Sequence, residues 1–183
     1  MQAVMMSSRL ELRAITEADL DDAFTLWSDP ELYTYYPEQR CEDLEEARRR
    51  IAICVQEWRD NECGTMVVRD RETGEFIGHV RASLTPDNRV YRATTTTGRV
   101  VFNLSYRLLR QHHGRRFVTE SVRTMMREIE AIMRNPVFHI AVASEDEPGA
   151  RVALRLGLVH QPSIDEPGVK HFFSVADAEI LAR

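Results

Sequence analysis

One glycine separates two hydrophobic periods that cannot share an element. Arg99 to Leu108 reads as a strand, whereas from Arg115 to Met133 the apolar residues Phe117, Val122, Met125, Met126 and Ile129 recur on one helical stripe. Gln111-His112-His113-Gly114-Arg115-Arg116 lies between them. A hydrophobic strand handed to an amphipathic helix across so short a link requires a layered fold in which the helix covers a sheet. The link also carries chemistry. The first turn of a helix leaves backbone N–H groups unpaired and holds a partial positive charge, so it attracts phosphate oxygens. Gly114 lets the backbone turn and approach a ligand closely. Arg107, Arg110, Arg115, Arg116, Arg123 and Arg127 stand here against one acid, Glu120, in a chain of net charge −5. A local basic cluster in an acidic protein suits a small polyanion and disfavours a nucleic-acid partner. Without Gly114, a solvated helix face would explain the arginines as well.

The other segments supply the remaining layers. Leu10, Leu12 and Ala14 alternate with Arg9, Glu11 and Arg13, the signature of a half-buried strand from Arg9 to Ile15. Thr16 caps a helix over about 17–28, with Asp19 near a capping-box position, and Asp29-Pro30 stops it. Leu44, Ala47, Ile51, Cys54, Val55 and Trp58 predict a long amphipathic helix over 43–60. Strands are predicted at 65–70, 76–84 and 99–108, the last two separated by a polar loop whose tract Thr94 to Thr97 tops a hairpin. After the helix over 115–133 come a strand at 137–143 and a helix from Pro148 to near Gly157. A strand at 169–175 and a helical tail from Ala176 complete the chain. The order β-α-α-β-β-β-α-β-α-β-β predicts an α/β (α+β) fold: a mixed, mostly antiparallel sheet of about seven strands with helices on both faces.

Size and composition narrow the class. At 183 residues the chain suits one domain over 1–183, and 43% hydrophobic with 29% charged residues is a globular mix. No run approaches the roughly 20 apolar residues of a spanning helix, so no membrane partner is expected. Met1 to Ser8 lacks a secretory pattern, and Cys41, Cys54 and Cys63 form no Cys-x-x-Cys pair. A cytoplasmic chain without a metal site is the expectation.

The link from Gln111 to Arg116 resembles the acetyl-coenzyme A signature of the GNAT N-acetyltransferase superfamily, Gln/Arg-x-x-Gly-x-Gly/Ala, at the strand-to-helix position that family uses. Tyr106 to Arg110 before it and Phe117-Val118-Thr119-Glu120 after it resemble the branch that acetylates ribosomal-protein N-termini. So do Leu10 to Arg13, Asp29-Pro30 with the tyrosines, Phe76-Ile77-Gly78, Leu156-Gly157-Leu158 and Lys170 to Ser174. Three features depart from the pattern. Arg116 replaces a small residue, Asp146-Glu147-Pro148-Gly149 replaces Asn-x-Ala-Ser, and no tyrosine follows Tyr106.

The resemblance implies acetyl-coenzyme A as cosubstrate and, as acceptor, an amine of a protein N-terminus, a peptide or a small molecule. It implies cofactor contacts from Tyr106, Arg107, Leu108, Gln111, His112, His113, Gly114, Arg115, Arg116 and Asp146, the first three through backbone N–H groups. Ser144 is the candidate proton donor to the departing thiolate, with helix capping as its alternative role. Asn103 stands where relatives often carry a glutamate base and could hold the amine or a water. His139 is either a titratable alternative or structural, and Glu120 is expected to pair structurally. Tyr33, Tyr35 and Tyr36, with Trp27, line an acceptor cleft or pack in the core. Relatives include monomers and dimers, so a homodimer is compatible with the resemblance. A degenerate acyl-coenzyme A-binding regulatory module is the alternative to an enzyme.

Overall fold

The computed structural model describes residues 1–84 and 99–174. Eight strands lie in one sheet in the order β1-β2-β3-β4-β5-β6-β8-β7. The strands are β1 (Val4–Met6), β2 (Leu10–Ala14), β3 (Thr65–Asp70), β4 (Phe76–Ser83), β5 (Val101–Leu108), β6 (Val137–Ala143), β7 (Val159–His160) and β8 (Val169–Phe173). The helices are α1 (Leu20–Ser28), α2 (Leu44–Asn61), α3 (Phe117–Ile132) and α4 (Glu147–Arg155). The predicted α/β class therefore stands, with eight strands in place of about seven. β1 is the strand that periodicity could not reveal, because of its three residues only Met5 is buried. The expected hairpin top at Thr94 to Thr97 and the helical tail from Ala176 lie outside the described residues.

The chain forms two compact units. The first contains residues 1–81 and 106–124. Here β1, β2, β3 and β4 pair antiparallel, with Met5 opposite Leu12, Leu12 opposite Val68, and a bulge between Val68 and Arg69. Val67 belongs to a core with Ile15, Ala23, Leu26, Trp27, Cys41, Ala47, Ile51 and Phe76, so this sheet face is covered by α1 and α2. Arg13 is opposite Val67 and shares its face, where it bonds Asp19 ahead of α1. Leu10 and Leu12, one residue out of phase, are fully buried on the other face. The capping box expected at Thr16 is present: the Asp19 carboxylate accepts from the Thr16 N–H at 2.8 Å and its hydroxyl at 2.9 Å. α2 is capped by Asp43, which accepts from the Glu46 N–H at 2.7 Å.

The second unit contains residues 82–105 and 125–183. β6 pairs in parallel with β5 and antiparallel with β8, and Val101, Val137 and Phe173 form a core with Ile164 against it. α4 ends in a Schellman motif: the Gly157 N–H reaches the Leu154 carbonyl, and the Leu158 N–H reaches that of Ala153. Gly157 has φ +88°, which explains why glycine sits one place past the helix.

Candidate active site

In the first unit, the link between β5 and α3 is built around positive backbone angles. Gly114 has φ +74° and Arg116 has φ +63°. The first bond of helical type runs from the Glu120 N–H to the Arg116 carbonyl, at 3.0 Å. Among the described residues, the backbone N–H groups from Gly114 to Thr119 have no hydrogen-bond acceptor. A Cβ at Gly114 would meet nothing within 4 Å, so the space beside these amides is open. Such a run of N–H groups, leading into and including the first turn of a helix of 16 residues, fits the phosphate oxygens of a diphosphate.

The side chains around it divide by direction. Gln111, His113, Gly114, Arg115 and Arg116 are exposed, whereas His112 is only 3% exposed and its ring lies 6.2 Å from that of Phe117. His112 Nε2 is 3.4 Å from Glu75 Oε1 but makes no hydrogen bond there, so this ring packs inward under the helix start. His113 Nε2 lies 2.9 Å from the Leu108 carbonyl, which can only accept, so this nitrogen carries the proton. It ties the link back to the end of β5. Arg115 and Arg9 lie over Phe117, at 4.4 and 4.6 Å from the ring centroid. Glu120 takes the structural part expected of it. Its carboxylate accepts from the Ser7 and Ser8 hydroxyls and from the backbone and guanidinium of Arg9. These contacts hold its pKa below the usual carboxylate value, although burial is the largest single influence and acts upward.

β5 contributes its backbone. The Leu109 N–H bonds the Ile77 carbonyl of β4 at 2.9 Å. By strand alternation, of the three amides that the resemblance puts on the cofactor, those of Tyr106 and Leu108 are turned away from β4 and that of Arg107 is turned toward it. Gly78 explains how closely the strands meet, since a Cβ there would come 2.3 Å from the Arg107 carbonyl oxygen.

The tyrosines do not form one wall. Tyr33 is 2% exposed and lies under the Arg107 guanidinium, 3.7 Å from its ring centroid, while Tyr36 is half-buried and Tyr35 exposed. Trp27 is buried and donates Nε1–H to His79 Nδ1 at 3.0 Å. Burial, with smaller contributions from Arg107 and Arg81, pushes the pKa of His79 down to about 3.

In the second unit, the parallel ladder joins only Val101–Asn103 to Val137–His139, although both strands run on. Asn103, at its end, lies opposite His139, and its Oδ1 is 3.1 Å from His139 Nδ1. His139 Nε2 is in turn 2.9 Å from His171 Nδ1, with the two rings stacked at 5.1 Å. Both histidines are buried. Burial, then the neighbouring His171, lowers His139 to about 3, and burial lowers His171. Reading the sequence missed this relay because its members come from three strands, and only the register brings them together.

Ser144 and Asp146 exchange one expected part. Asp146 caps α4, its Oδ1 accepting from the Gly149 N–H at 2.9 Å, so the alternative capping role of Ser144 is taken. Ser144 donates its N–H to the Gly168 carbonyl, and its hydroxyl has no partner among the described residues. A Cβ at Gly149 would come 2.5 Å from Asp146 Oδ2. The acid and the glycine are therefore one coupled departure from the Asn-x-Ala-Ser pattern.

A family model described as acetyltransferase (GNAT) domain matches residues 9–159. No curated protein matches the chain. Among solved structures, the chain is similar to an acetyltransferase from Agrobacterium tumefaciens, with TM-score 0.75 and 19% identity over 96% of each chain. It is also similar to RimL, a ribosomal L7/L12 α-N-protein acetyltransferase in complex with coenzyme A, with TM-score 0.74 and 15% identity over 96% of this chain and 99% of that one. A third is the microcin C7 self-immunity acetyltransferase MccE in complex with acetyl-coenzyme A and AMP, with TM-score 0.69 and 13% identity over 93% and 94%.

Proposed function

The chain belongs to the GNAT acetyltransferase family, and on that premise we propose that it moves an acetyl group from acetyl-coenzyme A directly to a primary amine of a protein N-terminus, a peptide or a small molecule. The observation that carries this reading is the run of backbone N–H groups from Gly114 to Thr119, without acceptors among the described residues, beside open space. These amides would hold the cofactor's diphosphate, with Arg115 and Arg116 adding charge. Gln111 and His113 would shape the link, and His112 would support it from beneath.

Acetyl-coenzyme A supplies a thioester whose carbonyl carbon forms the new C–N bond as its C–S bond breaks. The amine loses a proton and the departing sulfur can gain one. The outward N–H groups of Tyr106 and Leu108 would face the thioester oxygen, where charge develops. Ser144 would donate a proton to the sulfur; a thiol's ordinary pKa of about 8.5 makes that demand modest. Asn103, held by His139, would position the amine through hydrogen bonds and does not accept its proton. A cytoplasmic location fits such a reaction.

The test is release of free thiol from acetyl-coenzyme A in the presence of a broad panel of amines and peptides. Release that requires both substrates is expected. No release above background, with coenzyme A still bound, would replace the enzyme with a regulatory binding module.

A further inference from the structure

On the α1–α2 side of the first unit, arginines hold carboxylates: Arg13 holds Asp19, Arg69 holds Asp22, Arg50 holds Glu46 and Arg81 holds Glu57. Arg40, which is half-buried, donates instead to the Ser28 carbonyl at 3.4 Å. Arg107 is half-buried as well, and no carboxylate of the described residues lies within 4 Å of it. Burying an arginine without an anionic partner is costly, so structural arginines at such depth are normally paired.

Its orientation is fixed from one side. The guanidinium carbon lies over the Tyr33 ring, 3.7 Å from its centroid, and Tyr33 is 2% exposed and part of the interior. A guanidinium carries five N–H donors in its own plane, and Tyr33 engages it from one side, leaving donors for a further partner. A planar anion arriving at that rim would meet a pre-oriented fork, the geometry in which arginine binds carboxylate at two points. The neighbours of Arg107 among the described residues do not supply compensating charge. His79 accepts from Trp27 at Nδ1 and is neutral, and Arg81 is already matched by Glu57.

We propose that Arg107 receives a carboxylate of the acceptor, so that the preferred acceptor is a primary amine bearing a carboxylate a few bonds away. A free amino acid and a peptide with an acidic residue beside its N-terminus share that chemistry. The inference rests on the acetyl-transfer reading above, because Arg107 lies between Tyr106 and Leu108, whose amides would face the thioester. It reverses what net charge suggests. A chain at −5 would be expected to favour purely cationic amines, but the local field here includes an arginine with no carboxylate partner among the described residues.

The experiment compares acceptors that differ only in the carboxylate. Free amino acids are set against their carboxamides, and peptides with Asp or Glu at the second position against their Asn or Gln counterparts. The wild-type protein is expected to favour the acid by about 30-fold in kcat/KM, mainly through KM, as a charge-assisted pair would give. The arm with the larger ratio identifies the source of the carboxylate. Arg107→Gln should bring the ratio near one, and Arg107→Lys should restore part of it. A ratio cancels any damage these substitutions do to the shared chemistry. Equal rates for acid and amide in the wild-type protein would overturn the inference while leaving acetyl transfer intact. So would an unchanged ratio in Arg107→Gln with a raised KM for acetyl-coenzyme A, which would assign the guanidinium to the cofactor. Absence of thiol release with every amine would defeat the acetyl-transfer reading itself.

Discussion

Arg116 keeps a backbone angle, φ +63°, that costs a side chain with a Cβ about 1–2 kcal/mol. The signature has glycine or alanine at this place, and the backbone here still follows glycine's geometry although the residue has changed. Arg116→Gly should therefore relieve strain and leave coenzyme A affinity equal or better. Thermal unfolding should show a gain of up to about 1 kcal/mol, and calorimetry with coenzyme A would report the affinity. A large loss of affinity would identify the arginine as a phosphate clamp. Gly114 behaves differently. Its φ of +74° is again left-handed, but the open space around it means a large side chain can be accommodated while no ligand is bound. Gly114→Trp should lower stability by about 1–2 kcal/mol through backbone strain alone and abolish coenzyme A binding, since the indole would fill the space beside the amides. Unchanged affinity would show that the cofactor lies elsewhere. The link was readable from sequence because glycine, basic charge and a change of period coincide within a few residues. The inward turn of His112 was not, since two adjacent histidines look alike until Phe117 claims one of them.

Elements with a full turn or several alternations were recognisable from the chain alone. Thr65–Asp70 and Val137–Ala143 have the bounds expected of them, and α2 begins and ends within a residue of its predicted limits. β1 was too short to carry a period, and the two-residue β7 entered the predicted order without bounds; they are held by pairing to β2 and β8. Register was the larger gap. Asn103, His139 and His171 form one hydrogen-bonded line only because of how β5, β6 and β8 are aligned, which no single segment encodes. The start of α4 shows how local chemistry can still explain a departure. Asp146→Ala should cost about 1 kcal/mol through the lost cap. Gly149→Ala would ordinarily stabilise a helix by about 0.5–1 kcal/mol, but its Cβ would strike the Asp146 carboxylate, so a net loss is expected. With both changes made, the clash with the acid is gone. The double variant should be more stable than the sum of the single losses predicts by at least about 0.5 kcal/mol. Denaturant melts of the four proteins measure that coupling, and strict additivity would refute it.

At the scale of the whole molecule, the buried histidines make stability depend on pH in a window separable from that of the carboxylates. His139 and His79 titrate near 3 in the folded protein, and His171 is lowered too, against about 6.5 in an unfolded chain. Between these limits the unfolded chain binds protons that the folded chain refuses. Stability must therefore fall as pH drops from about 6.5 toward 3. Asp19 and Glu120 act lower down. Burial raises each, but hydrogen bonds from Arg13 and Thr16, or from Ser7, Arg9 and Ser8, win, and both are held below their ordinary carboxylate values. The stability they confer is complete above the unfolded carboxylate pKa and is lost only as pH falls through the lowered one. A decline between pH 6.5 and pH 5 thus belongs to the histidines. His139 alone would contribute on the order of 2 kcal/mol at pH 5, a sizeable part of a typical domain's roughly 5–15 kcal/mol. Denaturant melts at pH 7.5 and pH 5 should show the wild-type midpoint falling. His139→Gln should start lower at pH 7.5, because the line from Asn103 to His171 is broken, and should then lose less on acidification. An equal pH dependence in that variant would mean that His139 titrates alike in the folded and unfolded chains, contrary to the burial that sets its place between β5 and β8.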